Sequence, residues 1–186
     1  RQLVQEQATG EVSPDRLTIL GDLLATCSSD DPEDTQPLRA DDPLVKRLDA
    51  LTAAEVLRPL DEVRGEAVLL LAEAEASKMP SMIAEAAFRL AHVLGQMMND
   101  PIEGPANLKA ADVALGTAID AAGLARRPSL AAAALAFRLK LQAAARNGPG
   151  DAGELGQRLD DAQGIVASLG ALEPEAQIAE AKGLYF

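Results

Sequence analysis

The chain has 186 residues and a formal net charge of −12, with 17 Lys and Arg against 29 Asp and Glu, and the basic residues are scattered rather than clustered, which argues against a nucleic-acid partner; none is expected. Hydrophobic residues make up 48% of the chain but aromatic ones only 2%, so the apolar content is mostly Ala and Leu, a balance that favours helices over sheets. Charge interrupts every apolar run well short of the roughly 20 residues of a membrane span, so no membrane segment is expected.

The first ten residues, RQLVQEQATG, lack the apolar core of a secretory signal. The single cysteine, Cys27, excludes an internal disulfide framework and fits a reducing, cytoplasmic setting. The first predicted helix opens at Ser13-Pro14-Asp15 and carries Leu17, Leu20, Leu23, Leu24 and Cys27 on one face. It stops at SSDDPEDTQPLRADDP, residues 28–43, an acidic, proline-punctuated stretch that reads as a solvated loop. A second helix runs from about Leu44 to Leu57, with Leu44, Leu48, Leu51 and Val56 apolar, and Pro59 breaks it. The third covers Asp61 to about Ser77 and the fourth Met82 to about Met98, between Pro80 and the NDPIEGP loop. The fifth spans about Ala106 to Ala122, and the sixth follows RRPS from about Leu130 to Arg146. NGPGDAG then makes a turn, a seventh helix runs from about Glu154 to Leu169, and an eighth starts after Pro174. No segment alternates with period two, so the fold class expected is all-α.

The helices carry an internal repeat. Ala67, Leu71, Ala74 and Met79-Pro80 share a four-three-five spacing with Ala111, Leu115, Ala118 and Gly123, and with Ala162, Val166, Leu169 and Pro174. The helix after each also has a counterpart: EAAFRLAHVL at 85–94 and ALAFRLKLQA at 134–143 share AFRL, and IAEAKGLYF at 178–186 is a weaker third version. Small residues at fixed offsets let paired helices approach closely, and stacked pairs bury a continuous core. Ala-x3-aliphatic-x2-Ala-x4-Pro resembles the second-helix signature of the tetratricopeptide repeat. The first-helix signature is matched by Ile83, Ala86, Ala87 and Leu90, by Ala132, Leu135, Ala136 and Leu139, and loosely by Gln177, Glu180, Ala181 and Leu184. Phrases such as LLAEAEASKMPSMIAEAAFRLAHVL look like the repeat regions of large bacterial regulators and signalling proteins. The likeness covers roughly residues 60–186, with a period longer than the family's roughly 34 residues. It implies stacked antiparallel helix hairpins in a short right-handed α-solenoid over residues 58–186. Residues 1–57 then cap the array or belong to a neighbouring domain. The array ends mid-pattern at GLYF, so the chain reads as a piece of something larger.

Motifs that carry chemistry fail in context. His92, the only histidine, lies in one helical row with Phe88 and Gln96; one His and a distant Cys cannot make a zinc site, and no Ser stands in a nucleophile-elbow context. GPGDAG, residues 148–153, matches a dinucleotide fingerprint in spacing but follows a helix rather than a strand. DDPEDTQPLRAD, residues 30–41, places Pro32 and Thr35 where a calcium loop needs a ligand and a glycine. Arg126-Arg127 complements a helix C-terminus, and Met97-Met98 extends an apolar stripe. No catalytic residue, metal or cofactor is expected.

The resemblance instead implies a concave groove lined by the first helices of successive repeats, receiving a peptide or protein partner. Carried over by position, Phe88 and His92 face it from one repeat, Phe137 and Lys140 from the next, and Lys182 and Tyr185 from the last. Phe88 and Phe137, in equivalent AFRL contexts, read equally well as core between helices. The expected function is a non-catalytic binding module of a bacterial regulatory or scaffold protein. The alternative is a ligand-sensing helical domain of a signalling or transcriptional regulator.

Overall fold

In the computed structural model the described residues are 42–145 together with 156, 160, 162–164 and 178–179. Five helices follow one another: α1 (Pro43–Leu57), α2 (Leu60–Ser77), α3 (Pro80–Gln96), α4 (Gly104–Leu124) and α5 (Pro128–Ala144). Among the described residues there is no strand, and the chain is all-α there as its composition requires. The first predicted helix and the acidic loop before α1 lie outside the described residues. Of the seventh and eighth, only residues 156, 160, 162–164 and 178–179 are described, all helical.

Proline sets the boundaries. α1, α3, α4 and α5 each carry it in the first two helical positions, where the missing N–H is one of those a helix leaves unpaired anyway. Asp42 caps α1, its Oδ1 accepting from the Leu44 N–H at 2.8 Å. Ends are closed by left-handed residues, Lys78 (φ 57°) after α2 and Arg126 (φ 54°) after α4. At the latter the Arg127 N–H donates to the Ala122 carbonyl and the Arg126 N–H to that of Gly123, the paired bonds of a Schellman cap. Arg126 thus acts through its backbone, while Arg127 pairs with Glu85 of α3 at 2.8 Å.

Each helix packs on the next, and α1 and α5 also touch α3. α3 is therefore central, buried on nearly every side, whereas α1 buries only Val45, Leu48, Leu51 and Ala54. Most described positions of the repeat template are buried: Ala67, Ala74, Ala111, Leu115, Ala118 and Ala162 are, whereas Leu71 is only partly buried against the core and Met79 is exposed. Small side chains let the helix axes come close, which Gly95 takes further against α5, while Gly104 lets the turn after α3 fold against the start of α4. A Cβ on Gly95 would stand 2.9 Å from Cζ of Phe137, and one on Gly104 would fall on the Met98 carbonyl oxygen.

Residues 43–57, within the segment expected to be a cap or a neighbour, pack as α1 on both α2 and α3. No described helix is long and apolar enough to cross a membrane.

Candidate functional site

The odd-numbered helices bring their polar and aromatic side chains to one place. Near the end of α1, Glu55 has its side chain only 5% exposed, an unusual position for a carboxylate. Its Oε2 accepts from Nδ1 of His92 at 2.7 Å and from Nε2 of Gln96, one turn later on α3, also at 2.7 Å. Its Oε1 is buried without a hydrogen-bond partner. A carboxylate accepts only, so His92 carries its proton on Nδ1, and Gln96 spends its donor on Glu55 rather than on the imidazole 3.3 Å away. The ring remains 44% exposed, with Nε2 the nitrogen left for an outside partner.

The same imidazole lies against α5, its centroid 5.5 Å from that of Phe137. Phe137 in turn meets Phe88 edge to face, centroids 6.3 Å apart and planes at 73°. Phe137 is buried at 8% exposure and Phe88 partly buried against the core, so the two rings bridge α3 and α5. Lys140 follows Phe137 by three residues on α5 and is half-buried. Four of the sequence-derived positions, Phe88, His92, Phe137 and Lys140, thus sit on two adjacent helices, and three of them are in ring contact. Lys182 and Tyr185 lie outside the described residues.

Glu55 is the member sequence reasoning missed. Nothing in TAAEVL marks it, because its partners come from α3, 37 residues on. Gln96 was legible only as the next residue in the row of His92.

The Glu55 carboxylate fixes the orientation of the His92 imidazole. Among the described residues no group of three His, Cys, Asp or Glu side chains could hold a metal ion. The glycine-rich turn 148–153, the acidic loop 30–41 and Cys27 lie outside the described residues; Met97 and Met98 are half-buried against the core.

Comparisons with protein-family models, with curated proteins and with solved structures find no match for this chain.

Proposed function

We propose that this chain is a non-catalytic helical-repeat module, tetratricopeptide-like in arrangement, that binds a peptide or protein partner on the face shared by α1, α3 and α5. The observation that carries the reading is the run of side chains from Glu55 through His92 to Phe137, which links three alternate helices in one contact chain. Alternate helices also share a direction. Glu55 near the end of α1 meets His92 near the end of α3, and Arg127 just before α5 meets Glu85 near the start of α3. Successive helices in such an array run antiparallel, the odd ones forming an inner layer and the even ones flanking it. A repeated helix pair would produce such layering, and the shared direction of α1, α3 and α5 supports the reading.

Such a surface suits an extended or helical peptide with a hydrogen-bonding group for Nε2 of His92. A repeat region of a larger regulatory or scaffold protein is the setting this reading implies, in a cytoplasmic compartment. The test is a displayed peptide library selected on the chain, with binders re-measured on His92→Ala and Lys140→Glu. Each substitution is expected to weaken selected peptides about tenfold or more, equivalent to about 1.4 kcal/mol. Binders that ignore both would sink the proposal.

A further inference from the structure

His92 is the only histidine of the chain, and two neighbouring helices decide how its ring is held. Glu55 of α1 stands at the ring edge, Oε2 accepting from Nδ1 at 2.7 Å. Phe137 of α5 lies against the ring, centroids 5.5 Å apart, and is itself in contact with Phe88. A half-turn of the imidazole about Cβ–Cγ would set a ring C–H against Oε2 of Glu55. That carboxylate is 5% exposed and its Oε1 already lacks a partner, so the turn would leave it with Gln96 alone. Giving up a bond to a buried charge costs more than giving up an ordinary hydrogen bond, so the ring keeps one orientation.

Glu55 also decides where the proton sits. Its bonds to Nδ1 of His92 and Nε2 of Gln96 are both 2.7 Å, the short end of the N–H···O range and the length an ionised acceptor gives. An ionised carboxylate has no proton to offer, so the hydrogen of this bond belongs to Nδ1. In the neutral ring the free lone pair is then on Nε2. Among the described residues Nε2 has no hydrogen-bond partner, and it is not buried. What His92 presents outward is therefore an acceptor, with a buried negative charge behind it.

We propose that Glu55 is a positioning residue that holds His92 as the Nδ1–H tautomer, so that Nε2 takes a hydrogen-bond donor from the partner, an amide N–H or a hydroxyl, and turns away a carboxylate. This rests on the reading of α1, α3 and α5 as the partner-binding face, and it names the chemistry that face accepts at His92. A carboxylate at Nε2 sets lone pair against lone pair and adds negative charge in line with Glu55. It docks only by bringing a proton to Nε2.

The first measurement needs no partner. Long-range 1H–15N NMR of the full chain at pH ~8, above the ordinary imidazole range, reads one histidine without overlap. Nδ1 is expected to carry the proton and Nε2 to be bare. Glu55→Ala is expected to move the proton to Nε2, whereas Glu55→Gln, which keeps an acceptor oxygen beside Gln96, retains it on Nδ1. A wild-type ring protonated on Nε2, or on both nitrogens, overturns the proposal whatever the variants do, and so does an unchanged tautomer in Glu55→Ala. The second measurement adds a peptide selected from a displayed library for dependence on His92. Nε2 is expected to stay unprotonated in the complex, and Glu55→Ala to weaken the peptide about tenfold or more while Glu55→Gln does not. A proton gained by Nε2 on binding overturns the choice of donor and leaves the binding face standing. Failure to select any His92-dependent peptide overturns the face, and the choice of donor with it.

Discussion

At the scale of single residues, the account rests on side chains whose surroundings leave them few options. Glu55 has one buried carboxylate oxygen satisfied twice and the other not at all, so it depends on His92 and Gln96. His92→Ala removes one of two donors and the ring beneath Phe137. It is expected to destabilise the fold by about 1–3 kcal/mol in urea denaturation. Glu55→Gln, which keeps the shape and removes the charge, is expected to cost less than Glu55→Ala. Asp100 offers a test by pH. The backbone N–H groups of Glu103 and Ile102, at 2.7 and 2.8 Å, hold its carboxylate below the ordinary range. Its folded value is the lower one, so its contribution is complete above the ordinary carboxylate pKa and disappears as pH falls through the depressed one. Asp100→Ala should therefore narrow the stability gap between neutral and acid solution, and melts at neutral pH and near pH ~3 check the sign. An unchanged gap would mean the bonds to Asp100 do not act on folding.

At the scale of elements, α4 and α5 are joined by a pair that packing alone would not supply. The Arg138 guanidinium, 3% exposed, grips both oxygens of Asp112 at 2.6 Å, and Gln142 adds a third bond at 3.0 Å. Asp112→Ala leaves a buried cation without its counter-charge and is expected to cost about 3–5 kcal/mol. The double change Asp112→Ala with Arg138→Met should recover much of that, and a double-mutant cycle by urea denaturation measures it. Close approach is tested at Gly95→Ala. Higher helix propensity favours alanine by about 1 kcal/mol, but the added carbon meets a Phe137 ring pinned by Phe88 and His92. Overpacking of about 1–3 kcal/mol is expected to win, giving a lower melting temperature. The helices themselves were legible in the chain: proline at 43, 80, 105 and 128 and the Ala-Leu periodicity place the starts within about two residues. Their pairing was less so. AFRL occurs twice, yet whether its arginine is buried depends on a residue of another helix, Asp112, which α2 replaces with Val68.

At the scale of the whole molecule, local patterning and tertiary context part company. A spacing of small residues says which side of a helix is buried, and Ala67, Ala74, Ala111 and Ala118 follow it. It does not say which exposed side is left for a partner, because that depends on how far apart neighbouring helices stand. The cavity of about 560 Å³ lined by Leu71 and Glu75 of α2 and by Lys109, Ala110 and Val113 of α4 depends on the spacing of those two helices, which no periodicity encodes. Nor did it mark Glu55, whose role exists only once α1 lies along α3. The first-helix positions Phe88, His92, Phe137 and Lys140 were carried over by resemblance; Phe88, His92 and Phe137 lie in ring contact, and the proposed binding face starts from them. Its most direct test is NMR chemical-shift mapping of the full chain titrated with a peptide from the displayed library. The largest changes are expected at Glu55, His92, Gln96 and Lys140, and they should vanish in His92→Ala. Changes confined to α2 and α4, or a peptide that binds His92→Ala equally well, would contradict the assignment of partner binding to the face of α1, α3 and α5.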